Sequence, residues 1–209
     1  MTDPAQTAPA QTAPAAQPAQ PQPVEGPVWD LFIRSFHWAL AAAVIAGWLL
    51  GKFGPLQMTL HFWMGYVAGG LILARLVWGV IGSPNARFGN FIRGPGAILA
   101  YARTLSRREA SHVRGHNPLG GLSVVALLAV LAAQVATGLI IDPDDYINVG
   151  PLAEYVGSDW NRWALRWHHR LGLVLALLVG LHIAAILFYR FWKREDLVTP
   201  MITGRPRAK

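Results

Sequence analysis

The chain has 209 residues, 53% hydrophobic and only 14% charged, whereas soluble domains carry about a quarter charged residues. Several apolar runs reach the roughly 20 residues that cross a bilayer, so the composition points to a one-domain integral membrane protein. The formal charge of +7 is confined to particular loops and implies no nucleic acid, and the absence of cysteine excludes disulfides, thiolate-held zinc, iron–sulfur clusters and C-x-x-C-H haem attachment.

Residues 1–27 are mostly Ala, Pro, Gln and Thr. They cannot bury a core and are expected to be a disordered tail, with neither the basic nor the apolar region of a signal peptide. Four membrane-spanning helices are predicted at about 31–50, 58–81, 118–141 and 163–192. Lys52, Gly54 and Pro55 end the first, and Gly82, Ser83 and Pro84 stop the second. The connection after the second helix is basic and punctuated by Gly and Pro, with a short interfacial helix expected at 96–105. The third helix is apolar except for Ser123, Gln134 and Thr137, and an acidic loop follows it (Asp142, Asp144, Asp145, Glu154, Asp159). A basic tail, 194–209, closes the chain.

The Lys and Arg distribution orients this four-helix transmembrane bundle. The second connection carries Arg87, Arg93, Arg103, Arg107, Arg108 and Arg114, and the stretch from Arg190 onward is also basic, whereas the loop after the first helix has only Lys52. The loop after the third helix has Arg162 and Arg166 against five acids. Both termini are therefore expected to be cytoplasmic, with the acidic loop outside. Trp38, Trp63, Trp78, Trp160, Trp163 and Trp192 fall near predicted helix ends, as in an aromatic belt.

Ionisable side chains inside a bilayer are costly, so intramembrane histidines are functional candidates. In the fourth helix, fourteen steps of about 100° bring His182 within roughly 40° of His168, some 21 Å along the axis. His169 faces another way and is expected to be a wetted surface residue. With the predicted orientation, His37 lies at the depth of His182, and His61 at the depth of His168. No carboxylate or thiolate lies at either depth to complete a tetrahedral zinc site, whereas haem iron needs only two axial ligands from the protein. Small residues one turn on (Ala41 after His37, Gly65 after His61, Gly172 after His168) favour either a flat macrocycle or close helix packing. Arg75, fourteen residues after His61, is expected to pair with a propionate of the inner haem or else to snorkel to the surface. Arg166 and Arg170 flank His168 as candidates for the outer haem. Bis-histidine ligation leaves no open iron position and so favours electron transfer. Two other readings stay open. One is a membrane anchor or metal transporter whose histidines bind bare metal; the other is a self-sufficient oxidoreductase of the same fold.

The motifs RSFHW (34–38), LHFWMGY (60–66), RLVWGVIGSPNARF (75–88), GHNPLGGL (115–122) and HHRLGLVLALLVGLH (168–182) resemble the prokaryotic cytochrome b561 family. That family is related to the cytochrome b subunits of nickel–iron hydrogenases and formate dehydrogenase. The resemblance covers about 28–192. It implies two haems b, ligated by His37 with His182 and by His61 with His168. It also implies electron exchange between a membrane quinone and a redox partner, with Asn117, Gly120 and the neighbouring His116 matching a quinone-site loop. Asn-Pro before a helix is equally an ordinary N-cap. A hydrogenase small subunit or a c-type cytochrome would dock on the acidic outer loop.

Overall fold

The computed structural model describes residues 26–56, 58–109, 111 and 113–205. The expected disordered tail lies almost wholly outside these residues, as do His112 and the last four positions. Seven α-helices and one 3-10 turn, with no strand, make up the described residues: α1 (Leu31–Phe53), α2 (Thr59–Ile81), α3 (Phe88–Phe91), α4 (Pro95–Ala102), α5 (Pro118–Leu139), α6 (Ser158–Phe191) and α7 (Val198–Thr203). Helices α1, α2, α5 and α6 are each long and apolar enough to cross a membrane, as predicted. Their outward faces carry exposed apolar side chains such as Ile45, Leu73, Leu177 and Leu181, which is the pattern of helices solvated by lipid rather than water.

The helices start and stop where local chemistry requires. Asp30 caps α1, accepting from the Ile33 amide at 2.8 Å. Asn117 caps α5 with Pro118 in its first turn, which satisfies one of the amides a helix start leaves unpaired. Helix α6, at 34 residues, is about 51 Å long at 1.5 Å per residue and overhangs a hydrocarbon layer about 30 Å thick. Its first turns begin before the predicted boundary at 163. The sequence pattern also did not mark α3 and α7, which are too short to show periodicity.

Backbone packing is tightest between α1 and α2 and between α5 and α6, with α2 and α5 joining the two hairpins. At mid-depth Ile72, Leu131 and Leu175 form a buried cluster, covered by Leu40, Val44, Leu127, Val135 and Val179. Leu175 lies midway between His168 and His182 along α6, so this apolar plug separates the two histidine levels.

Both described ends of the chain meet at one face. The Val28 amide donates to Gly204 O at 2.6 Å, Arg34 Nε donates to Ile202 O at 3.0 Å and Trp38 Nε1 donates to Met201 O at 3.2 Å. Helix α7 thus straps the start of α1. The buried Lys193 ammonium donates to the carbonyls of Thr104 and Arg107, and Ser111 donates to the Glu195 carboxylate. The two basic segments therefore lie at the same end as both described termini. At the opposite end Asn148 ties the acidic loop to the α1–α2 turn, donating to Leu56 O at 2.9 Å and accepting from the Met58 amide at 2.8 Å.

Candidate cofactor sites

Four histidines meet in two pairs. The rings of His37 (α1) and His182 (α6) have centroids 6.3 Å apart, and those of His61 (α2) and His168 (α6) have centroids 6.0 Å apart. A ring nitrogen sits about 2.0 Å from a first-row metal and about 1.1 Å from its own centroid. Two imidazoles across one metal ion therefore have centroids about 6.2 Å apart. Both pairs are at that separation.

The far pair, near the acidic loop, has its tautomers set by backbone. His61 Nδ1–H donates to Gly47 O at 2.8 Å, and His168 Nδ1–H donates to Gln134 O at 3.0 Å. A carbonyl on Nδ1 fixes the proton there and leaves Nε2 as the donor to a metal, the usual arrangement behind a ligating histidine. Thr137, whose hydroxyl lies 3.2 Å from His168 Nδ1, buttresses the same ring. The Gln134 amide donates to His168 Nε2 at 3.1 Å while its own oxygen has no partner, so it must swing aside when that nitrogen takes a metal. Both rings rest against glycines. A Cβ at Gly51 would stand 3.2 Å from the His61 ring, and one at Gly138 would stand 3.0 Å from the His168 ring. One turn beyond His61, a Cβ at Gly65 would meet nothing within 4 Å, which leaves open space beside the pair.

The near pair sits toward the basic end. His37 Nδ1 is buried without a hydrogen-bond partner, and Trp38 meets its ring edge-on at 5.0 Å. Arg75 does not snorkel. It is 2% exposed, with Nη2 donating to Ala86 O at 3.0 Å and its guanidinium 4.6 Å over the Phe88 ring. Its Nη1 has no partner. A buried cation with an unused donor costs several kcal/mol unless an anion completes it, so Arg75 has a donor free for a carboxylate or phosphate. Gly79 is needed for that arrangement, because any Cβ there would run into Phe88.

His116 lies beside this end, between Trp29 and Phe91 at 4.6 Å from each ring. Burial first, then the charges of Arg75 and His182, pulls it from 6.5 to about 4, so it is neutral at physiological pH. Asn117 is buried; its Oδ1 accepts from the Gly120 amide at 2.8 Å, and its Nδ2 donates to the Tyr189 hydroxyl at 2.9 Å. That hydroxyl shares a 2.9 Å hydrogen bond with Tyr101. Asn117 is therefore the N-cap of α5, with its amide held by a tyrosine that the sequence pattern did not single out.

The remaining expected residues fall elsewhere. His169 is exposed and bonds back to Leu165 O in its own helix at 2.9 Å. Arg166 and Arg170 each lie two residues from His168, about 200° round the helix. Both are exposed, and the Arg170 guanidinium stacks 5.5 Å over Trp167. Adjacency in sequence suggested that they serve the far pair, but helical geometry turns them to the opposite side. Sequence reading missed Gln134, Thr137, Gly51 and Gly138 as partners of the histidines. The only advance signal was that Gln134 and Thr137 are polar in an apolar helix.

Among the described residues, no group of three or more His, Cys, Asp or Glu converges as a bare-metal site would require. The residues fit a planar cofactor that brings its own equatorial ligands and takes one imidazole on each face. The fold and the paired imidazoles define a four-helix membrane protein of the haem-binding kind. The family model for prokaryotic cytochrome b561 matches residues 28–204, and the chain belongs to that family. It is a multi-pass membrane protein, a b-type cytochrome that binds haem b and transfers electrons. A comparison with curated proteins returned no match.

Proposed function

We propose that the chain binds two haems b, one between His37 and His182 and one between His61 and His168, and carries electrons between the quinone pool and a redox partner. The observation that carries this reading is the pair of imidazole–imidazole separations, 6.3 Å and 6.0 Å, at two depths. Bound haem supplies a one-electron iron couple, and two histidines per iron leave no open position for substrate. Arg75, with its unpartnered Nη1, receives a propionate of the near haem. The loop of His116 and Asn117 forms the quinone-facing surface at that end. The basic end, with both termini, is cytoplasmic, in a bacterial inner membrane. The acidic loop at the other end docks the redox partner, a hydrogenase small subunit or a c-type cytochrome.

Haem content per purified chain, measured as the pyridine derivative together with reduced-minus-oxidised spectra, tests this. Two b-type haems per chain are expected. One haem, or none, would overturn the two-site reading. Reduction of quinone by an artificial donor, abolished by an Asn117→Asp change with haem content intact, is expected for the near-end quinone surface.

A further inference from the structure

Helix α6 carries a surface feature that the histidine pairs do not use. Residues 171–189 contain no Asp, Glu, Lys or Arg and rise about 28 Å, close to the hydrocarbon thickness of about 30 Å. Arg170 and Arg190 bracket that run, which places Arg170 at the far hydrocarbon boundary and Arg166 one turn higher, among the headgroups. Both lie on the side of α6 away from His168. Neither is in an ion pair among the described residues, whereas Arg162 pairs with Asp159 at 2.6 Å. Beside them runs a ladder of indoles. Trp160 and Trp163 have centroids 5.6 Å apart, and Trp163 and Trp167 are 6.0 Å apart, all three exposed. A shallow depression is lined by Asp159, Trp160, Arg162, Trp163 and Arg166, with Asp159 taken up by its ion pair to Arg162.

We propose that Arg166 and Arg170, flanked by Trp163 and Trp167, form a binding site for an anionic phospholipid of the far leaflet. Residues four apart on a helix stand about 5–6 Å apart at Cβ, so two guanidiniums can grip one phosphodiester, whose geometry their donor forks match. The indoles fill the interfacial layer beneath the headgroup, where their apolar body and N–H are both satisfied. A zwitterionic headgroup neutralises its own phosphate, so the site selects for net negative charge. The nearby acids do not cancel it, because Asp159, the closest along α6, is already engaged by Arg162.

Native mass spectrometry of the haem-loaded protein, equilibrated with equimolar phosphatidylglycerol and phosphatidylcholine, tests the site. Phosphatidylglycerol should be retained in preference by at least about fivefold, the scale of one surface arginine against an anionic lipid. The R166Q/R170Q double variant should fall toward parity with its haem content unchanged. Equal retention of the two lipids by the unaltered protein would overturn the proposal without need of any variant. So would a double variant that keeps the full preference, or one that loses haem instead, since that returns these arginines to the cofactor. Displacement of the lipid by millimolar inorganic phosphate would assign the site to free phosphate rather than to the bilayer.

Discussion

At the residue scale, the adjacent histidines of α6 give the sharpest contrast. His168 faces His61 and is backed by Gln134 O, whereas His169 is exposed. On the proposed two-haem reading, His168→Ala should lose one haem, roughly halving absorbance per chain, and His169→Ala should keep both. Arg75 makes a different prediction. Its positive charge favours the reduced, less positive iron, so Arg75→Gln should lower the midpoint potential of the near haem, by an amount on the order of 1 kcal/mol, and leave the far haem unmoved. Redox titration monitored by absorbance separates the two. The four paired histidines were legible in the sequence because apolar runs fix depth and a fourteen-residue spacing fixes helix face. Gln134, Thr137 and Tyr189 were not. Their parts depend on which face of α5 meets α6, and no single helix records that.

At the scale of elements, the start of α1 is held by one carboxylate. Asp30 caps the helix and accepts from the Trp78 indole at 3.1 Å and from the Ser83 hydroxyl. Burial opposes its ionisation, but Ser83, the Ile33 amide and Trp78 together outweigh that and hold it below its ordinary 3.8. A carboxylate depressed in the folded state contributes stability above pH about 4 and loses it as pH falls through the folded value. Asp30→Ala should cost about 2–3 kcal/mol, a lost cap plus two stranded donors. Thermal unfolding in detergent should show this near neutrality, with the difference from the unaltered protein shrinking below pH 4. The α5 glycine against His168 gives a second test. Gly138→Val should push the ring aside and empty the far haem site while the near one remains filled, as its own α-band would report. Helix existence was legible from hydropathy, and the capping residues from Asp, Asn and Pro at the right offsets. The overhang of α6 was legible only in part. Its first turns are amphipathic and polar, and an apolar-run criterion starts counting too late.

At the scale of the whole molecule, both basic segments and both described termini share one end. With that end cytoplasmic, as proposed, a green fluorescent protein fused at the C-terminus should fluoresce in cells, and alkaline phosphatase inserted at Tyr146 should be active; the reverse pattern would invert the bundle. Charge asymmetry is the reason to expect that end inside. The strap of α7 over α1 was not legible in the sequence, because nothing in six residues advertises a partner some 165 positions earlier. The apolar plug around Leu175 has one more consequence. It holds the two histidine levels about 21 Å apart across a layer about 30 Å thick, so an electron passing between them traverses roughly two-thirds of the transmembrane voltage. At about 2.3 kcal/mol per elementary charge for each 100 mV, that is about 1.5 kcal/mol of electrical work per 100 mV. At about 100 mV the equilibrium between the two levels in an energised cell should therefore differ about tenfold from that in detergent, favouring the far level when the basic end faces a negative cytoplasm, as proposed. The molecule is in this sense a voltmeter, and its spacing sets the scale.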